Sequence, residues 1–181
     1  MSKSETYLIN EDNFTRFKVI SPNIGQEILN QAILDAQWLD LRPWMSDGFY
    51  FAFITKFDDS GDAQFANYQN LLNGSTYTLD GDTVEHKGLV PALVYFAYGR
   101  LLGQVGFSVS KAGVHRKDTA ESSAVNGVEL RAHEQEAKAK AMAYLNSAQT
   151  FLDTEISKFP LWRNLKNIDT RSYVGFSMTK I

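Results

Sequence analysis

Three histidines, His86, His115 and His133, are the first residues of this 181-residue chain to test for chemistry. They fall in a hairpin end, a loop and a helix, and no spacing links them. His133-Glu134-Gln135-Glu136 is half of a zinc-protease helix, but the second histidine at i+4 is missing, so two imidazole nitrogens cannot face one metal. Asp58-Asp59-Ser60-Gly61-Asp62 has the outline of a calcium loop, yet its glycine is misplaced and no glutamate stands at the twelfth position. A turn and an acidic helix cap fit it better. No phosphate-cradling Gly-x-x-x-x-Gly-Lys and no Gly-x-Ser-x-Gly nucleophile elbow occurs. Gly99, Gly103 and Gly106 lie within and at the end of a helix, where close packing explains them. The absence of cysteine removes thiol catalysis, disulfides and cysteine-held metal centres, and fits a reducing compartment. Two of the 21 acids could converge in space, but no pair is singled out. The expectation is a protein without catalytic, cofactor or metal-binding residues.

Charge is informative in its distribution. The whole chain carries a formal net charge of -3, which gives no global attraction to nucleic acid or anionic lipid. Residues 27–62 hold seven acids against Arg42 and Lys56, a net of -5. Residues 100–117 hold Arg100, Lys111, Arg116 and Lys117 with no acid, a net of +4, and residues 158–181 also reach +4. Solvated surface is one reading. The sharper one is head-to-tail complementarity, in which a basic loop or tail of one subunit meets the acidic face of the next, and such heterologous contacts close into rings. Nucleic acid is the other partner for the basic loop, although aromatic residues are sparse there.

The elements that position these residues follow from periodicity and punctuation. A length of 181 residues fits one domain, and 44% hydrophobic residues supply a core. The longest apolar runs, such as 93–97, are far below the ~20 residues that span a bilayer, and the polar start, 1–13, does not look like a signal peptide. Ser21 and Pro22 form a cap and first-turn pair for a helix over 22–42, with Ile24, Ile28, Leu29, Ala32, Ile33, Ala36 and Leu39 facing inward and Pro43 closing it. Residues 49–57 are read as a short buried helix, and Asp62 caps another carrying Phe65, Tyr68, Leu71 and Leu72. Asp80-Gly81 between alternating segments predicts a hairpin over 75–87, because both turn residues need positive φ. Residues 88–105 predict a central helix, apolar nearly all round, with Pro91 in its first turn. Residues 106–126 read as a long loop or ribbon, with short strands near 107–109 and 113–116. Asn126 and Glu129 approximate a capping box for a helix reaching Lys158. Its alanine-rich stripe, through Ala137, Ala141 and Ala148, matches Gly99 and Gly103, so these two helices are expected to pair antiparallel.

Several of these pieces resemble the head-tail connector or adaptor (ring) proteins of tailed phages, particularly those of crAss-like and related phages of Bacteroidetes. The resemblance rests on Ile33-Leu34-Asp35-Ala36-Gln37 with Leu41, Pro43 and Gly48-Phe49-Tyr50. It rests also on the hairpin 77–87 running into Gly88-Leu89, Ala92-Leu93, Tyr95-Phe96-Ala97-Tyr98 and Arg100, and on Val114-His115-Arg116-Lys117 with Glu121-Ser122 before the long last helix. It spans about residues 20–160, through short and mostly structural motifs.

The resemblance implies a homo-oligomeric ring, a dodecamer following the portal's symmetry, in the head-tail neck of a virion. Its partners would be the portal protein and the next ring or tail protein, with non-specific contact to DNA in the channel, no membrane and no cofactor. The expected fold is mainly α: a small bundle of about four to five helices with a long C-terminal helix, a β-hairpin, an extended loop and an extended C-terminal tail. It divides into a lead-in (1–20), a helical domain (21–160) and an extension (161–181). Phe107, Val109, Lys111, His115, Arg116 and Lys117 are expected to meet the portal or a neighbouring subunit. Phe159, Leu161, Trp162, Arg163, Tyr173 and Phe176 are expected to anchor the tail on an adjacent chain. Two other readings stay open, a DNA-binding helical protein and an enzyme with an unrecognised carboxylate site.

Overall fold

The structure is a computed structural model and describes residues 6–18, 20, 24–105, 107–110, 113–116 and 127–162. The fold is mainly α, as expected, with a two-stranded antiparallel hairpin set among the helices. Helix α1 (Glu11–Phe17) opens with a capping box in which Asn10 and Asn13 satisfy each other's backbone amides. Helix α2 (Gln26–Ala36) passes into a π-helical turn (Gln37–Leu41) and then into the short α3 (Arg42–Trp44). Helix α4 (Asp47–Lys56), capped by Ser46, confirms the helical reading of that aromatic run. Helix α5 (Phe65–Asn73) follows a turn in which the Asp62 carboxylate accepts from the Gln64 amide at 2.7 Å, with Gln64 rather than Asp62 at the cap.

Strands β1 (Ser75–Leu79) and β2 (Asp82–His86) pair antiparallel through a turn at Asp80 (φ 52°) and Gly81 (φ 93°), the two positive φ values the Asp-Gly pair predicts. The hairpin's ends cross against the end of α5. Gly74 (φ 95°) and Gly88 (φ 76°) make that crossing, where backbone passes backbone with no room for a Cβ. The Leu89 amide then bonds the Leu71 and Leu72 carbonyls at 3.1 and 2.9 Å, launching α6 (Val90–Val105). Helix α6 is the central rod. Ala92, Leu93, Val94 and Ala97 are fully buried on several sides of it, as a helix without a wide polar face requires.

Strands β3 (Phe107–Ser110) and β4 (Gly113–Arg116) form an antiparallel ribbon in the connection from α6 to α7 (Gly127–Thr154). Helix α7 is about 42 Å long at ~1.5 Å per residue. It runs antiparallel to α6: Tyr144 stacks on Tyr95, Ala137 meets Gly99, and Glu134 meets Gly103. The helix ends at Thr154, short of Lys158, and a 3-10 turn (Ile156–Lys158) takes over. Among the described residues no helix is long and apolar enough to cross a membrane.

Three expectations are corrected by the packing. Pro43 does not end its helix at Arg42. The π turn, in which the Arg42 amide bonds the Gln37 carbonyl, opens the wall where the proline ring would strike the preceding turn, and the helix continues to Trp44. On α2, Leu29, Ala32, Ile33 and Ala36 face the core and Ile28 faces out; the π turn then shifts the stripe so that Leu41 faces in and Leu39 out. The helix begins at Gln26 behind Gly25, and Ser21 and Pro22 lie outside the described residues, as does Asn126.

The lead-in is no separate segment either. Leu8, Ile9 and Phe14 are core residues, and the buried Gln37 side chain accepts from the Leu8 amide (2.8 Å) and donates to the Thr6 carbonyl (3.0 Å). At the other end, Phe159 and Trp162 belong to this chain's own core, not to a neighbour's. The 3-10 turn reverses the chain so that Phe159 lands on Phe49, Tyr68 and Phe151, and Trp162 on Phe49 and Trp44. The Trp162 indole N–H donates to Asp153 Oδ1 at 2.8 Å, so its polar atom is satisfied at the rim.

Candidate functional site

The histidine with the most perturbed surroundings is structural. His86, at the end of β2, is 1% exposed and stacks on Phe151 at 4.0 Å. Its Nδ1 accepts from the Gly88 amide (3.3 Å), which leaves Nε2 as the N–H that donates to Ser75 Oγ (3.0 Å). A neutral ring satisfies this geometry, and burial lowers the pKa to about 4. His86 therefore locks the open end of the hairpin to α7 and α6. His133 is an exposed helical residue 3.8 Å from Glu136, as its surface reading requires.

Two surface features remain. The first is an open groove of about 410 Å³ between the α2–π segment and the α6–α7 pair, floored by Gly99 and Gly103. Arg100 in it is held by Asp40 (Nε to Oδ2, 2.8 Å), both side chains mostly buried, and Asp35, Glu134 and Lys138 also line it. This mixed lining suits a polar side chain or loop. No group of three or more metal-ligating side chains occurs among the described residues.

The second is an aromatic face. Trp38 and Leu39, on the π turn, are 43% and 59% exposed, and Phe51 on α4 is 48% exposed. The rings of Trp38, Tyr50 and Phe51 lie 5.6 to 6.3 Å apart, so this is one contiguous patch. Arg42 spreads over both outer rings, 4.8 Å from Trp38 and 5.4 Å from Phe51, and Asp47 holds its Nε at 2.8 Å. That hydrogen bond holds the Asp47 carboxyl below the usual range and raises Arg42. The π turn is what brings Trp38 and Leu39 outward. The signal in the sequence was the five-residue step from Ala36 to Leu41, which breaks the three-and-four spacing just before a proline.

Of the interface residues expected from the sequence, Phe107, Val109, His115 and Arg116 fall on the β3–β4 ribbon, with Phe107 opposite Arg116 and Ser108 opposite His115 in register. Lys111, Lys117, Arg163, Tyr173 and Phe176 lie outside the described residues. Leu161 is 48% exposed, while its neighbours Phe159 and Trp162 are buried.

Fold and surface together define a small helical domain built around an antiparallel α6–α7 pair, with an inserted hairpin and a ribbon at one end. The chain belongs to a family of unknown function, DUF6712, which matches residues 51–172. The match takes in Phe51, the hairpin, both long helices and the ribbon between them, and leaves Trp38 and Arg42 outside. No curated protein and no solved structure matches the chain.

Proposed function

We propose that this protein is a non-enzymatic virion adaptor that forms a ring below a phage portal and joins capsid to tail. The observation that carries this reading is an exposed aromatic face in the acidic segment 27–62, on the same chain as a two-stranded ribbon in the basic segment 100–117. A subunit with two complementary, non-identical surfaces makes heterologous contacts, and these close into rings. The residues that resemble the connector proteins support it by their placement. Ile33 to Gln37 lead from α2 into the π turn that carries Trp38, Gly48 to Tyr50 lie on α4 just before Phe51, the hairpin leads into α6, and Val114 to Arg116 lie on β4.

In this reading the ring is a dodecamer following the portal. Its outer contacts are the portal protein and the next ring or tail protein, its inner wall makes non-specific contact with DNA, and no cofactor or membrane is involved. Electron microscopy of the chain mixed with portal complexes tests it. Added density with the portal's symmetry is expected; a chain that neither binds portal complexes nor forms rings at high concentration overturns it.

A further inference from the structure

We infer that the strap after α7, residues 155–162, is exchanged between copies of this chain, so that Phe159 and Trp162 of one copy fill in the next copy the cleft that they fill in the single chain. The inference deepens the ring reading, on which it rests for its setting, and takes its content from the cleft and the hinge.

The cleft fits one occupant. It is walled by Trp44 on α3, Phe49 on α4, Tyr68 on α5 and Phe151 on α7, and both rings of the strap are buried in it. Asp153 stands at its rim and accepts from the Trp162 indole at 2.8 Å. All of these walls precede the strap in the chain. A second copy therefore offers the same cleft, and the same strap fits it with the same contacts. Exchanging an identical element costs little, because each contact given up within one chain is remade between two.

The hinge permits the exchange. Nothing in the sequence ends α7 at Thr154: no glycine or asparagine follows, Glu155-Ile156-Ser157-Lys158 can all be helical, and the first residue that cannot continue is Pro160. The helix nonetheless gives way to tighter turns, in which the Lys158 amide bonds the Glu155 carbonyl (2.8 Å) and the Phe159 amide that of Ile156 (3.1 Å). A 3-10 stretch inside a sequence that reads as one helix often marks a hinge. Straightening it loses little. The Lys158–Glu155 ion pair (2.7 Å) has i,i+3 spacing, which an α-helix also brings together. Among the described residues the turn is hydrogen-bonded to another element only by Gln64, whose Nε2 donates to the Lys158 carbonyl at 3.5 Å, the long end of the range. With α7 continued through Lys158 the chain no longer reverses, and the strap leaves its own cleft. Ile156 and Leu161, 53% and 48% exposed in the single chain, supply apolar surface to bury at the new junction. Strap and cleft are different surfaces, so the exchange runs from copy to copy and closes as a ring.

The chain has no cysteine, so a pair placed at Gln64 and Lys158 reports on the strap alone. A chain carrying Gln64→Cys and Lys158→Cys is divided at low concentration. In one half a short bismaleimide staples the strap to its own cleft, and in the other N-ethylmaleimide caps both thiols; matching helical circular dichroism shows that both halves are folded. Each half is then concentrated, alone and with portal particles, and its assemblies are weighed by native mass spectrometry. The capped half should assemble, and the stapled half should give about tenfold less of the same assembly or lower, because a strap that cannot leave its cleft cannot be exchanged. Separate Gln64→Cys and Lys158→Cys chains, mixed and concentrated before the bismaleimide is added, should link to one another. A stapled half that assembles as well as the capped half, or a mixed pair that fails to link while the capped half assembles, overturns the exchange and leaves the ring reading standing. Capped chains that stop at a two-fold dimer keep the exchange and remove the ring. Capped chains that stay monomeric throughout remove both.

Discussion

His86 makes stability depend on pH in a way that can be calculated from its surroundings. The imidazole is buried, its Nδ1 already accepts a hydrogen bond from Gly88, and a proton there would have to break that bond. The folded pKa is about 4 against an ordinary value of 6.5. Above pH 6.5 the ring is neutral in both states and its contribution is fully present. As pH falls below 6.5 the unfolded chain takes up a proton that the folded chain refuses, so stability drops by as much as ~1.4 kcal/mol per pH unit until pH approaches 4. The full loss is about 3 kcal/mol.

The assay is urea unfolding of the parent and of His86→Phe between pH 7.5 and 4.5, followed by circular dichroism. The phenyl ring keeps the stacking on Phe151 but orphans the Gly88 amide and the Ser75 hydroxyl, which should cost about 1–3 kcal/mol at pH 7.5. Its stability should then fall much less than the parent's on acidification, so the two curves converge. His115, His133 and the carboxylates are common to both chains and cancel in the difference. Parallel curves across this range would show that His86 is free to protonate in the folded state and would refute the reasoning.

Four further substitutions follow from the packing. Gly88→Ala would place a methyl on the Leu72 carbonyl oxygen and the Gly74 nitrogen at positive φ, and should lose several kcal/mol in thermal or urea melts, as expected where backbone itself must move. Gly99→Ala has the opposite sign: its methyl would sit 3.7 Å from Ala137 Cβ, an ordinary contact, so the helix gains up to ~1 kcal/mol in the same melts. Trp162→Ala should cost about 3–5 kcal/mol because it empties the site between Phe49 and Trp44, whereas Leu161→Ala, on an exposed neighbour, should stay within about 0.5 kcal/mol of the parent.

Much of the scaffold was legible because single residues dictate backbone geometry. Asp80-Gly81 specifies a tight turn, Pro91 fits only a first helical turn, and the glycines of α6 opposite the alanines of α7 announce a close helix pair. Close packing accounts for one of those glycines more than for the other. Gly103 faces the Glu134 carboxylate at close range, but Gly99 has room for a methyl. What escaped were features set by tertiary packing. Phe159 and Trp162 have no helical period, yet one 3-10 turn delivers them to a cleft made by distant elements. Leu39 reads as an inward residue under an uninterrupted 3.6-residue period, and the π turn reverses it. The lead-in has no apolar stripe of its own and is fastened by one buried glutamine, Gln37, whose partner 29 residues away no local pattern reveals.

The central claim, that this chain assembles head to tail into a ring, is tested most directly by native mass spectrometry of concentrated protein and of its complexes with portal particles, read beside class averages from the same samples. The account predicts a closed species near twelve times the 20.4 kDa chain mass, with an open centre and an axis shared with the portal. A chain that stays a monomer or a two-fold dimer at every concentration, and that is missing from portal particles, would contradict it.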